Sequence, residues 1–104
     1  MFFLYAQIFS SNGTKIGSEF RINSYDNGPQ EHPSLGILSN DDFIIVWDSS
    51  SNSSYRGIYG QRFNHEGSML NSEFVVNTIS HPKSGMPSIG IRSDNSFVVV
   101  WSVK

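Results

Sequence analysis

The chain contains no cysteine, which excludes disulfides, thiolate nucleophiles and zinc–thiolate centres together. Disulfides mark oxidising compartments, so their absence leaves the compartment open. Charge is scarce: 15% of residues are charged and the net charge is −2. The basic residues Lys15, Arg21, Arg56, Arg62, Lys83, Arg92 and Lys104 are scattered along the chain. No stripe of them can neutralise several phosphates, and nucleic acid is not an expected partner. No apolar run reaches membrane-spanning length. Met1 to Leu4 is apolar but carries no basic flank, so no cleaved signal peptide is expected within this chain. No segment sustains a helical period, and almost no helix is expected.

What is present is β chemistry. A length of 104 residues suits one small domain, able to bury roughly two-thirds of its unfolded surface. The 38% hydrophobic and 13% aromatic content gives such a domain a modest core. Gly, Ser, Asn and Asp cluster between the apolar runs, as an all-β chain with many turns requires.

The chain writes one unit twice. Tyr5-Ala6-Gln7-Ile8-Phe9 returns as Tyr59-Gly60-Gln61-Arg62-Phe63, and Ser18-Glu19-Phe20 returns as Ser72-Glu73-Phe74. Pro33-Ser34-Leu35-Gly36-Ile37 returns as Pro87-Ser88-Ile89-Gly90-Ile91, and Phe43 to Trp47 returns as Phe97 to Trp101. Every matched pair is 54 positions apart, with no insertion or deletion. The copies are residues 4–50 and 58–104, joined by a Ser-rich linker at 49–56 that is expected to be mobile.

Four strands are expected in each copy. In the first they run from Leu4 to Phe9, Ser18 to Asn23, Pro33 to Leu38 and Phe43 to Trp47. Gln7 and Gln61 stand between two aromatics on one strand face, so partial burial and backbone partners are expected for both. Ala6 and Gly60 keep one position small, which suggests close approach of a neighbouring layer. Gly13 and Gly67 mark matched turns. Asn23 and Asn77, at strand ends, suit side chains that bond nearby backbone. Pro33 and Pro87 are expected to open their strands. Phe43 to Trp47 is apolar without alternation, and a strand apolar on both faces is covered on both.

A four-stranded repeat of about this length is the blade of a propeller. The fold class expected is all-β, with two four-stranded antiparallel blade-like repeats. If the Pro-Ser strand is innermost, a sheet runs Pro33, Phe43, Ile58, Ser72. The chain then holds half a blade, one whole blade from Pro33 to Asn77, and another half. The halves would join between chains or within one, in the latter case as a compact two-sheet sandwich. Two blades cannot close a ring, and open edges invite pairing, so self-association or neighbouring repeats are the expected partners.

Tyr59 to Phe63, Gly67, Ser72 to Thr78, Pro87-Ser88 and Phe97 to Trp101 resemble a tandem repeat of bacterial surface and calcium-binding-type proteins. The resemblance covers nearly the whole chain, in two copies. It implies a β-propeller-like blade and an extracellular or cell-surface setting, not an activity. The glycine- and aspartate-rich calcium repeats that often accompany such units are absent from this sequence.

Catalytic signals are weak. Glu19 and Glu73 match each other through the repeat, and a polar tie to backbone explains them more simply than paired acid–base roles. His32, His65 and His81 have no ligand spacing and read as solvated loop residues. Asp41-Asp42 and Asp26-Asn27-Gly28 lack the spacing of a calcium loop. Trp47-Asp48 imitates the WD40 dipeptide without its Gly-His partner. Asn12-Gly13-Thr14 and Asn52-Ser53-Ser54 match the glycosylation sequon. No catalytic residue, metal ligand or cofactor is expected. The function expected is a non-catalytic binding or scaffold module, its specificity carried by the unmatched loops Ser24 to His32 and Thr78 to Met86 and by the linker. The alternatives are a small oligomeric lectin with glycan sites between blades, or a part of a larger repeat protein with no activity of its own. An enzyme would need acidic or His side chains converging in a channel made by assembly. Arg56, Tyr59, Trp47 and Trp101 are the candidate ligand-binding residues. An indole open to solvent in a cleft would favour the lectin, and two buried indoles the scaffold.

Overall fold

A computed structural model describes residues 2–24, 28–50, 57–78 and 85–103. Eight strands follow one another: β1 (Tyr5–Phe9), β2 (Lys15–Arg21), β3 (Gln30–Ile37), β4 (Phe43–Ser49), β5 (Gly57–Phe63), β6 (Met69–Val75), β7 (Gly85–Ile91) and β8 (Phe97–Ser102). All pairings are antiparallel, and no helix occurs among the described residues.

The sheets contain two, four and two strands: β1-β2, β3-β4-β5-β6 and β7-β8. The strands thus group as the half, whole and half expected from a sheet that starts at the Pro-Ser strand, and not as two complete four-stranded repeats. The hydrogen-bonded sheet is out of phase with the sequence copy and begins at the Pro-Ser strand. β4 and β5, which belong to different sequence copies, pair as neighbours in one ladder. Among the described residues the terminal pairs do not join each other within the chain. The compact sandwich is therefore not what forms.

The three sheets stack. Phe43, Ile45 and Trp47 point to one face of β4 and pack with Ile22, Phe20, Leu4 and Ile8 from the β1-β2 side. Ile44 and Val46 point to the other and pack with Leu38, Ile89, Ile91 and Val99. Every residue of β4 is buried. Its continuous apolar run is thus the signature of a strand between two layers, as expected.

The repeat is written into the backbone as well as the sequence. Positive φ recurs in matched pairs: Gly13 and Gly67, Gly17 and Asn71, His32 and Met86, Asp41 and Asn95. The bulge between Ala6 and Ile8 recurs between Gly60 and Arg62, and that between Glu31 and Ser34 recurs between Gly85 and Ser88. Pro33 and Pro87 lie at these second bulges, inside β3 and β7 rather than at their starts. A bulge on an edge strand tolerates the missing N–H as well as a strand start does.

The matched polar residues do matched work. The Gln7 amide donates to the carbonyls of Ile8, Ile16 and Gly17. The Gln61 amide donates to those of Arg62, Leu70 and Asn71. Each Gln ties down the strand carbonyls around its bulge. Asn23 Oδ1 accepts the Leu4 amide at 2.7 Å, and Asn77 Oδ1 accepts the Ile58 amide at 2.8 Å.

The small residue at Ala6 and Gly60 has a different cause from the one expected. A Cβ on Gly60 would lie 2.5 Å from Phe74 Cζ, and Phe74 is its direct partner on β6. What approaches Gly60 is a cross-strand ring of the same sheet, not a neighbouring layer. Ser49, assigned to the linker from sequence, belongs to β4, while the rest of that linker from 51 to 56 lies outside the described residues.

Candidate functional site

A cleft of about 800 Å³ runs beside β1 and is lined by Leu35, Ile37, Phe43 and Ile45. Its walls are mostly apolar. β1 and β2 are both edge strands of their two-stranded sheet, and Tyr5 and Phe9 project from β1 exposed.

The main polar cluster lies where β3 meets β4. Glu31 and Asp48 are direct partners in the ladder, and like charges in that relation repel. Asp48 is fully buried. Its Oδ2 lies 2.7 Å from His32 Nδ1 and accepts the Met86 amide at 2.9 Å. The Met86 bond ties the central sheet to β7. Ligand atoms of Glu31, His32 and Asp48 all lie within 4.8 Å of one another, a donor set suited in type to a divalent cation. The Asp48 oxygen is already engaged by backbone, and a structural tie accounts for it. The positive φ of His32 follows from the bulge, since Met86 has it too.

A second buried chain of bonds adjoins this one. Trp47 Nε1 donates to Gln30 Oε1 at 2.9 Å, and Gln30 Nε2 donates to Ser49 Oγ at 2.7 Å. Near the turn at the other end of β4, Asp42 accepts the His65 amide at 3.1 Å and lies 3.4 Å from the Arg62 guanidinium. Sequence reading missed the roles of Gln30 and Asp48, the latter weighed only as part of a Trp-Asp dipeptide, and read Asp42 only as a turn residue. The register set by the Ser39–Asp42 turn would place Glu31 opposite Ser49, and it is the bulge between Glu31 and Ser34 that shifts Glu31 to Asp48 and Gln30 to Ser49.

Of the candidate ligand-binding residues, Trp47 and Tyr59 are direct partners across the β4-β5 ladder, while Trp101 stands apart on β8. Trp47 is 1% exposed and Trp101 37% exposed, so the two-indole criterion splits. Neither lines the cleft beside β1. Tyr59 packs half-buried against the core around Trp47, and Arg56 lies outside the described residues. Half of the two unmatched loops, at 25–27 and 79–84, lies outside them too, as does His81. Glu73 bonds backbone as expected: its carboxylate accepts the Ser24 amide across the layer boundary. At the first sequon, Asn12 Oδ1 accepts the Thr14 amide within a tight turn.

Comparison with known protein families, with curated proteins and with solved structures returned no match for this chain.

Proposed function

We propose that this chain is a non-catalytic repeat module of β-propeller type that acts as a binding or scaffold element, outside the cell or at its surface. The observation that carries this reading is β4, buried on both faces between two further sheets, which is how a blade sits among its neighbours. The best-placed carboxylates support it. Asp48, Asp42 and Glu73 each accept a backbone amide from another strand or loop, the work of ties rather than of acids and bases. The surface setting rests on the repeat resemblance.

The lectin reading draws on Trp101, whose indole is partly open; Trp47, fully enclosed, cannot be a platform. A glycan array probed with the labelled chain separates the two. The scaffold reading expects no saturable glycan signal. Saturable binding that is lost in Trp101→Ala would replace it with the lectin.

A further inference from the structure

A repeat that stacks layers uses one interface again and again, and here the second use is incomplete. At the first interface Phe20 meets Phe43 with ring centroids 6.3 Å apart and Phe63 at 5.5 Å, while Phe43 and Phe63 stack at 5.3 Å. At the second, Phe74 meets Phe97 at 6.3 Å and the same 45° tilt as Phe20 and Phe43. The third ring is lacking there. Its counterpart in the repeat is Phe9, which stands on β1 across the central sheet, 55% exposed.

The same half-complete pattern appears in the aliphatic packing. Gly36 is filled by Ile89 and Ile91, the latter 2.7 Å from where a Cβ would be. Its counterpart Gly90 has nothing within 4 Å of that position. The counterparts of Ile89 and Ile91 are Leu35 and Ile37, both exposed in the lining of the cleft beside β1. Each chain thus carries a socket on one side and its plug on the other.

We propose that a second copy of this chain docks head to tail, seating its β7-β8 pair in the cleft so that its β8 joins β1 as β4 joins β5. The proposal rests on reading the chain as stacked blades. The β4-β5 register pairs Phe43 with Phe63, Val46 with Gly60 and Trp47 with Tyr59. Carried over by the repeat, it pairs Phe97 with Phe9, Val100 with Ala6 and Trp101 with Tyr5. The joint completes a four-stranded sheet, the aromatic triad and the Gly90 contact in one step.

Polar ties transfer as well. Asn95 Oδ1 accepts the Ser39 amide at 2.9 Å at the described interface. At the joint the acceptor is the Asp41 carboxylate and the donor is Ser93 of the other copy. The Glu73 tie to the Ser24 amide becomes Glu19 with the Thr78 amide of the other copy. The contact is heterologous, so it closes a ring or grows. Propellers of four to eight blades correspond to two to four copies at two blades each.

The test uses the absence of cysteine. Ala6→Cys with Val100→Cys places thiols on directly opposed residues, where antiparallel Cα atoms lie about 4.5–5.5 Å apart, within disulfide range. Tyr5→Cys with Val100→Cys is one residue out of register and points the thiols to opposite faces. Under mild oxidation at micromolar chain the first variant should form interchain disulfides roughly a hundredfold faster, because docking holds its thiols at an effective concentration near millimolar. Light scattering of the unmodified chain should give one mass at a small multiple of 11.6 kDa, and Val100→Glu, at an exposed position, should return it to the single-chain value. Equal crosslinking rates, an intrachain disulfide, a monomer at high concentration or a mass untouched by Val100→Glu would each overturn the docking. Trp101→Phe isolates Trp47, whose cover comes from its own chain. An iodide-protected Trp47 in a non-crosslinking monomer sinks the docking alone, and an iodide-accessible Trp47 sinks the stacked-blade reading.

Discussion

The Phe74 ring lies over Gly60, its direct partner across the β5-β6 ladder, so closely that three ring atoms fall within 3.2 Å of where a Cβ would stand. Phe74 also meets Phe97 at 6.3 Å, so the ring is held from the β8 side. Gly60→Ala should therefore destabilise the fold by about 1–3 kcal/mol, the usual cost of overpacking a filled site. The opposite change in the first copy, Ala6→Gly, removes a methyl beside an exposed edge and should cost about 0.5–1 kcal/mol from backbone entropy. Urea denaturation of the two variants checks the order; an Ala6→Gly change costlier than Gly60→Ala would contradict it.

Asn77 accepts the amide of Ile58, a residue with no exposed surface. Asn77→Ala leaves that N–H buried and unpaired, which should cost about 1–3 kcal/mol. Asn23→Ala should cost a similar amount, because Asn23 accepts the Leu4 amide and donates to the Phe2 carbonyl at 2.9 Å. Hydrogen exchange at Ile58 and Leu4 reports each bond directly. Unchanged protection at Ile58 in Asn77→Ala would show that the bond does not carry the strand end.

The Asp94–Ser96 bond in the turn before β8 should be sensitive to acid, and its counterpart at Asn40 should not. Ser96 Oγ and, second, the Ser96 amide donate to Asp94 and hold its carboxyl below the usual Asp value. The folded state thus favours the ionised form. That contribution is present above the ordinary Asp pKa and is lost as pH falls through the lowered value in the folded chain. Ser96→Ala removes the larger cause and should move the Asp94 titration upward, as read by NMR of the carboxyl carbon. The counterpart Asn40 accepts the Asp42 amide with a neutral oxygen at 3.1 Å, so that bond needs no ionisation at residue 40. An Asp94 titration unmoved by Ser96→Ala would refute the assignment.

Much of the fold is legible in the residues because it is local or periodic. Strand positions follow from apolar runs between Asn, Asp, Ser and Gly turns, and the 54-residue offset carries through to φ angles, bulges and side-chain ties. The roles of Gln61 and Asn77 were readable for the same reason: a polar side chain set among aromatics or at a strand end must find backbone. Pro33 misled because a proline is equally at home at a strand start and at an edge bulge. Gly60 misled because a small residue says that something comes close, and only the ladder register says it is Phe74. The Gln30–Trp47 and His32–Asp48 contacts join residues 17 and 16 apart in sequence, and they were visible only to a reading that fixed the hairpin register.

Trp47 and Trp101 mark the division most plainly. The sequence alone determined that both close a run of apolar residues on two strand faces, since that needs only the order of side chains along an extended backbone. Only the tertiary structure decided that Trp47 is enclosed and Trp101 partly open, because burial belongs not to a strand but to the layers packed against it. β4 has a sheet on each face and β5 along its edge. Among the described residues β8 has only β7 beside it and the central sheet on one face, and its outward apolar residues remain in water.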